Sequence, residues 1–153
     1  MRQDYILETE TWLPRPLEEV FDFFKKAENL QQLTPPWLDF QILTPLPVEL
    51  KQGALIDYRL KLYGVPLLWK TEISLWEPPY RFVDAQLQGP YRKWVHTHTF
   101  EAVNGGTRMR DRVEYRLPGG VLAPLAHRLF VKRNVETIFR FREARITRIF
   151  RHV

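Results

Sequence analysis

The feature that most limits the possible folds is a block of six strand-like segments joined by short connections. The segments are 38–44, 54–63, 67–77, 80–88, 92–103 and 107–117. Groups of proline and glycine lie between them, among them Gly64-Val65-Pro66 and Asn104-Gly105-Gly106, and such groups typically form turns. Because consecutive strands joined by short turns pair antiparallel, the block predicts an antiparallel meander.

Helical patterns flank this block. After a strand-like segment at 4–13, residues 14–33 change to helical spacing and predict two short helices, the second stopped by Pro35-Pro36. Beyond Gly119-Gly120, apolar residues keep helical spacing over roughly 30 residues, which is on the order of 45 Å of helix. They are Leu122, Leu125, Leu129, Val135, Ile138, Phe139, Ile146 and Ile149. The order predicts an α+β domain in which a curved sheet of six to seven strands wraps round a long C-terminal helix and leaves a cavity.

Composition fits one domain over 1–153. Hydrophobic residues make up 44% of the 153 residues, enough for a core. The absence of cysteine excludes disulfides, thiolate metal sites and cysteine nucleophiles, and it fits a cytoplasmic location. With no signal-peptide pattern and no run near the ~20 apolar residues of a membrane span, a cytoplasmic protein is expected.

The net charge of +5 is concentrated in the last helical segment. Residues 128–153 carry eight basic and two acidic residues. A solvated outer face is the expected role, and nucleic acid is not an expected partner because no stacking aromatics accompany the basic residues. Contact with an anionic membrane surface stays open as an alternative. Arg142 is the exception, since it falls on the apolar stripe and is expected to point inward.

The stretch KWVHTHTF (93–100) places His96 and His98 on one face of a strand. Asp111 falls on the inner face of the next strand, which a tight turn joins to this one, so Asp111 is expected near one of the two histidines. Alternation along the strands also predicts which residues face inward. They are Ile56, Tyr58, Leu60, Leu62, Trp69, Thr71, Ile73, Leu75, Trp94, Phe100, Met109, Val113, Tyr115 and Leu117.

The chain resembles a known superfamily over essentially its whole length. The stretches PLEEVFDFF, RFVDAQLQGPYRKWVHTHTF and GGTRMRDRVEYRLPGG are similar to those of small bacterial SRPBCC proteins, which have the START-like helix-grip fold. Members are described as ligand-binding or polyketide cyclase/dehydrase-like. The resemblance implies a hydrophobic cavity for a small molecule or lipid. Alternation alone leaves the facing of strand 80–88 open between two sets, Val83, Ala85 and Leu87 or Phe82, Asp84, Gln86 and Gln88. The resemblance favours an inward orientation for Asp84 and Gln86.

The paired histidines allow three kinds of chemistry. They could bind a metal. Zinc usually takes at least three protein ligands, so two histidines alone are too few, and Asp111 and Asp84 would have to be the third and fourth ligands. They could act with Asp111 as an acid–base pair, making His96, His98 and Asp111 the catalytic candidates. They could also line a cavity as hydrogen-bonded polar groups, which is the expected role here, without metal or cofactor.

The main hypothesis is therefore binding of a small hydrophobic or amphipathic molecule, and catalysis is the less expected outcome. The alternatives are a cyclase- or dehydratase-type enzyme that uses the His–Asp pair, and binding of a membrane surface or a partner through the basic helix. The sequence carries no signal for the ligand's identity or for an oligomeric state. The residues expected to contact the ligand are Tyr58, Trp69, Asp84, Gln86, Trp94, His96, His98, Phe100, Asp111, Tyr115 and Arg142.

Overall fold

A seven-stranded antiparallel sheet forms most of the molecule, which we describe over residues 3–151 from a computed structural model. The strands are β1 (Tyr5–Leu13), β2 (Gln41–Ile42), β3 (Leu55–Leu62), β4 (Val65–Glu77), β5 (Arg81–Gln88), β6 (Lys93–Val103) and β7 (Gly106–Arg116). Their order across the sheet is β1-β7-β6-β5-β4-β3-β2. The predicted meander is confirmed, and the first strand pairs with the last.

The strand predicted over 38–44 is much shorter than expected. Only Gln41–Ile42 pairs with β3, and a 3₁₀ turn at Pro36–Leu38 occupies the preceding residues. The ladder ends where the Thr44 hydroxyl accepts the backbone N–H of Asp57 at 2.9 Å. The prolines at positions 45 and 47 cannot donate to a sheet, so this edge strand stays short.

Two helical segments follow β1, as predicted. Helix α1 spans Leu17–Phe24 and buries the apolar face formed by Leu17, Val20, Phe21 and Phe24. The second is a 3₁₀ helix, Ala27–Leu33. The Phe21 ring packs edge-on against Phe82 and Phe100, with centroids 6.0 and 5.3 Å away. These contacts fix α1 against the concave face of the sheet.

The C-terminal helix has the predicted length, but only its later part is buried. It begins as α2 (Ala123–Ala126), continues through one π-helical turn (His127–Val131) and becomes α3 (Lys132–Arg151). The apolar residues Leu122, Leu125 and Leu129 are 67%, 49% and 53% exposed, so the helical spacing of apolar residues does not mark a buried face at this end of the helix. The helix contacts the sheet through its later residues, and helical spacing alone cannot show where the covering sheet ends.

An extra residue in β4 changes which side chains face the cavity. Ile73 pairs with Asp84 and Leu75 with Val83, so Ser74 is a bulge. Beyond the bulge, Trp76 packs against Phe21 with ring centroids 5.2 Å apart. The predicted inward position of Leu75 was therefore wrong, because one inserted residue moves every later side chain to the other face.

No helix within residues 3–151 is long and apolar enough to cross a membrane.

Candidate functional site

A cavity of about 180 Å³ lies between the concave face of the sheet, the two short helices and α3. Its wall is mostly apolar. The side chains that form it include Phe24, Leu30, Leu33, Leu60, Leu62, Trp69, Ile73, Phe82, Tyr91, Trp94, Ile138 and Phe139. A cavity of about 150 Å³ with apolar walls can hold a benzene-sized molecule, so this one suits a small ring system or a short chain.

Apart from the exposed Lys26, the charged side chains of the wall lie in one region. Asp84 on β5, His96 and His98 on β6, and Arg142 on α3 all reach the cavity. The antiparallel register places Asp84 opposite His96 and Asp111 opposite His98. Two carboxylates therefore flank the histidine strand, one on each side. We call Asp84, His96, His98, Asp111 and Arg142 the polar cluster.

Each histidine of the polar cluster lies between the two carboxylates. His98 Nε2 is 2.6 Å from Asp84 Oδ2, and His98 Nδ1 is 3.2 Å from Asp111 Oδ1. His96 Nε2 is 2.8 Å from Asp111 Oδ1, whereas its Nδ1 is 3.7 Å from Asp84 Oδ2. Arg142 closes the cluster by donating from Nε to Asp111 Oδ2 at 3.3 Å. Asp111 is thus the shared acceptor of the cluster.

Aromatic rings hold the two histidines in a stack. The His96 and His98 rings lie 3.6 Å apart between centroids, and the other face of His98 stacks on Phe82 at 4.0 Å. The Phe139 ring on α3 meets His96 at 5.3 Å and 67°. This packing fixes both imidazoles, so the choice of partner for each ring nitrogen is set by the fold.

The environment shifts the pKa values of the histidines in opposite directions. Burial, together with the neighbouring His98, lowers the pKa of His96 to about 4. Burial acts in the same sense on His98, but its hydrogen bonds to Asp111 and Asp84 outweigh that effect and raise its pKa. The two rings of one short motif therefore hold protons differently.

Both carboxylates of the polar cluster stay ionised. Burial by itself would raise the pKa of each. For Asp111, the charge of Arg142 and the hydrogen bonds from the histidines hold the pKa well below its usual value. For Asp84, the neighbouring His96 and His98 likewise lower the pKa.

The contacts assign the protons within the polar cluster. His98 carries both ring hydrogens, since each nitrogen faces a carboxylate oxygen. Although Arg142 Nη2 lies 3.3 Å from His98 Nδ1, the carboxylate is nearer and His98 is the histidine whose pKa is raised. His96 is neutral with its hydrogen on Nε2, because two cationic rings stacked at 3.6 Å would repel. Two anions and two cations then leave the cluster with no net charge.

Asp84, His96 and His98 also offer potential metal-ligating atoms that lie within 4.8 Å of one another. Histidines that bind one ion direct their lone pairs toward a common point. Here the ring planes are only 27° apart, so the lone pairs run side by side, and His98 Nε2 is hydrogen-bonded to Asp84. The arrangement fits a hydrogen-bonded cluster better than a metal centre.

The candidate residues divide into two groups by position. The cavity wall includes Tyr58, Trp69, Asp84, Trp94, His96, His98 and Arg142. The remaining candidates, Gln86, Phe100, Asp111 and Tyr115, lie outside that wall. Asp111 lies behind the histidines and contacts both of them.

The other three have identifiable partners elsewhere. Gln86 donates from Nε2 to the Tyr91 carbonyl at 2.7 Å. Phe100 packs in the core against Phe21 and Phe24. The Tyr115 hydroxyl is 2.8 Å from His127 Nε2 at the start of the C-terminal helix. None of these contacts requires a ligand.

Several wall residues were absent from the predicted set. The 3₁₀ segment contributes Ala27, Asn29, Leu30 and Leu33, and β5 contributes Phe82. The helical spacing of Ala27, Leu30 and Leu33 was the available signal, since it marked an apolar face whose covering partner was not known.

Fold and cavity together define a helix-grip, START-like domain. Residues 13–141 match the family described as polyketide cyclase / dehydrase and lipid transport, and the chain belongs to that family. The resemblance inferred from the sequence is thereby confirmed. No curated protein sequence matches the chain.

Solved structures share the whole fold at low sequence identity. TTHA0849 from Thermus thermophilus is 22% identical, with 93% of this chain and 97% of that chain covered and a TM-score of 0.63. CV1439 from Chromobacterium violaceum is 13% identical, with coverages of 95% and 97% and a TM-score of 0.72. A START superfamily protein from Mycobacterium smegmatis is 13% identical, with coverages of 94% and 98% and a TM-score of 0.65. At these identities the likeness establishes the fold alone.

Proposed function

We propose that the protein binds a small hydrophobic or amphipathic molecule in the cavity between the sheet and α3. The observation that carries the proposal is the combination of a mostly apolar wall with a group of largely buried charged side chains, the polar cluster. Ligand sites generally have this composition, in which apolar walls supply affinity and a few polar groups supply orientation. Membership of a family that includes lipid transport supports the same function.

The direct test is to identify what the protein retains after purification. Native mass spectrometry, followed by organic extraction of the same sample, is expected to detect an apolar molecule in substoichiometric or full occupancy. Ile138→Trp should prevent retention, because Ile138 lines the cavity and a larger ring there would fill it. Arg140→Trp is the matched control, since Arg140 lies on the exposed face of the same helix.

The outcomes of this test separate clearly. Loss of the bound molecule in Ile138→Trp but not in Arg140→Trp supports binding in the cavity. Equal retention by both variants would mean that the molecule binds elsewhere, and the proposal would be abandoned.

A second candidate function is acid–base catalysis on the bound molecule. It is favoured by the position of His98 and Asp84, which both line the cavity. His98 Nε2 lies 2.6 Å from Asp84 Oδ2. Both His98 nitrogens face carboxylates, so a ligand would pass its proton to Asp84, the carboxylate that His98 holds in place at the cavity. A cyclase- or dehydratase-type reaction would then depend on His98, with Asp111 as a positioning residue.

Catalysis is tested by supplying a cyclisable polyketide-like substrate and following its conversion by mass spectrometry. His98→Gln should abolish conversion, and Asp111→Asn should slow it and shift its pH profile. If a panel of such substrates binds but none is converted by the wild-type protein, the catalytic candidate is rejected and the binding function stands.

A third candidate, contact with an anionic membrane surface, draws on the exposed residues at the start of the C-terminal helix and just before it. Val121 and Phe130 are 93% and 60% exposed, and Arg128, Lys132 and Arg133 are exposed beside them. Apolar side chains among basic ones are typical of helices that lie on anionic membranes. Co-sedimentation with phosphatidylserine vesicles should fall in the double variant Leu125→Gln, Phe130→Gln. Unchanged co-sedimentation would remove this candidate.

A further inference from the structure

The polar cluster leaves two hydrogen-bond acceptors without a partner within residues 3–151. Asp84 uses Oδ2 for His98, and no donor binds its Oδ1. His96 uses Nε2 for Asp111, and its unprotonated Nδ1 has no partner within hydrogen-bond distance. Both residues line the cavity. An unpaired acceptor at such a site costs free energy unless water or a ligand donates to it.

These two acceptors can be reached from the cavity. Glu28 Oε2 is the one side-chain polar atom of residues 3–151 that is both shielded from solvent and without a hydrogen-bond partner. Asp84 Oδ1 and His96 Nδ1 also lack a hydrogen-bond partner. Since they are not shielded in the way that Glu28 Oε2 is, both atoms are accessible. The Asp84 side chain is 22% exposed, compared with 8% for Asp111, so Asp84 is the carboxylate of the cluster that faces the cavity.

Donors are also available beside these acceptors. Arg142 uses Nε and Nη2 within the cluster, and its Nη1 has no partner among the described residues. The Tyr58 hydroxyl lines the cavity, and burial together with the charge of Asp84 raises its pKa, so it keeps its hydrogen. A ligand group that both donates and accepts would satisfy atoms of both kinds.

The charge balance of the cluster restricts that group further. Asp84 and Asp111 carry two negative charges, and Arg142 and His98 carry two positive charges. A carboxylate or an ammonium group placed beside this balanced cluster would lose its hydration without gaining a compensating charge, which is costly in a buried site. An uncharged group avoids that cost.

We infer that the polar end of the ligand is an uncharged hydroxyl group, that of an alcohol, a phenol or an enol, which donates to Asp84 Oδ1 or His96 Nδ1. This inference rests on the proposed binding function and adds the class of ligand. The ligand's carbon skeleton packs against the apolar side chains of the cavity wall. A carboxylic acid or a simple ether of the same skeleton is a poorer ligand, because the first is ionised near neutral pH and the second has no hydrogen to donate.

The test uses three probes with one carbon skeleton: 2-naphthol, 2-methoxynaphthalene and 2-naphthoate. Isothermal titration calorimetry at pH 7 with the wild-type protein is expected to give 2-naphthol the lowest Kd. Its advantage over each of the other two should be about tenfold or more, the value of one hydrogen bond to a charged group. This comparison needs no variant, so it does not depend on whether a substitution folds.

A variant then assigns the preference to the cluster. Asp84→Asn should reduce the advantage of 2-naphthol over 2-methoxynaphthalene to about threefold or less, because a neutral amide oxygen is a weaker acceptor. Asp57→Asn, an exposed site on β3, should leave the advantage unchanged. Circular dichroism confirms that each variant is folded before titration.

Each outcome bears on a different statement. Equal affinity for 2-naphthol and its methyl ether, or tightest binding of 2-naphthoate, overturns the hydroxyl inference while the binding function stands. No measurable binding of any of the three probes counts against the binding function itself, and the inference falls with it. Loss of the preference in Asp57→Asn as strongly as in Asp84→Asn would mean that the cluster is not its source.

Discussion

The rings of His96 and His98 stack 3.6 Å apart and 27° from parallel, although both belong to one strand and share one carboxylate. Two imidazoles at this distance cannot both be cations without strong repulsion. The contacts place the charge on His98, which has a carboxylate at each nitrogen. A symmetric-looking motif thus has one charged and one neutral member.

We therefore expect the two histidines to titrate on opposite sides of the ordinary histidine pKa of 6.5. Two-dimensional NMR of the ring nitrogens should show His98 doubly protonated at pH 6.5 and His96 still neutral, with a pKa near 4 and its hydrogen on Nε2. His96→Gln and His98→Gln assign the signals. Simultaneous titration of both rings near pH 6.5 would contradict the proposed proton positions.

The raised pKa of His98 also predicts how stability depends on pH. Below pH 6.5, folded and unfolded forms are both protonated at His98 and its stabilising contribution is fully present. As pH rises through the raised folded pKa, that contribution is lost. Urea unfolding between pH 6.5 and 9 should show a falling free energy of unfolding, and His98→Gln should flatten this slope.

Below pH 6.5 the free energy of unfolding is expected to change with pH in the opposite direction. The pKa values of His96, Asp84 and Asp111 are lowered in the folded protein. As pH falls, these groups are therefore protonated in the unfolded chain at a higher pH than in the folded protein. Stability should therefore fall as pH decreases from 6.5 through about 4. A free energy of unfolding that rises over this acid range would show that these groups are not held as described.

Asp111 should be the most sensitive carboxylate in the chain. Asp111→Asn leaves the buried Arg142 guanidinium without its anion, and breaking a buried pair typically costs roughly 3 to 5 kcal/mol. Asp57→Asn removes an exposed partner of Lys70 at 3.9 Å and should cost less than about 1 kcal/mol. Chemical unfolding measures both. Similar costs for the two variants would mean that Asp111 and Arg142 are not a buried pair in solution.

The two halves of the C-terminal helix should respond differently to the same kind of truncation. Ile146→Ala removes a side chain that is 2% exposed and should cost about 2 to 5 kcal/mol. Leu129→Ala removes one that is 53% exposed and should change stability by about 0.5 kcal/mol or less. Thermal and urea unfolding of the single variants gives the comparison. A large loss in Leu129→Ala would show that this part of the helix is covered in solution.

The sequence predicted the fold well because its signals are local. Strand alternation, proline and glycine turns, and helical spacing each involve neighbours along the chain, and the sheet follows from pairing consecutive strands. The failures came where a distant element decides the outcome. The bulge at Ser74 turns Leu75 away from the concave face, and the sheet leaves Leu129 uncovered.

The polar cluster was predicted in part for the same reason. The tight turn between β6 and β7 brings Asp111 opposite His98, as alternation and a short connection indicate. The second carboxylate, Asp84, depended on the facing of β5, which the residues alone left ambiguous. Which histidine nitrogen meets which oxygen depends on ring packing against Phe82 and Phe139, and no local pattern encodes that packing.

The sheet order has a consequence for the sequence of events during folding. Five of its six strand pairings join neighbours in the chain, whereas β1 must find β7, with Tyr5 opposite Tyr115. Closing so long a loop is entropically costly and slow compared with forming hairpins. We expect the β3–β7 hairpins to form early and β1 to join late. Because the Thr11 hydroxyl of β1 donates to Glu143 of α3 at 3.1 Å, α3 would dock together with β1, and the cavity that α3 helps to line would close after most of the chain is already ordered.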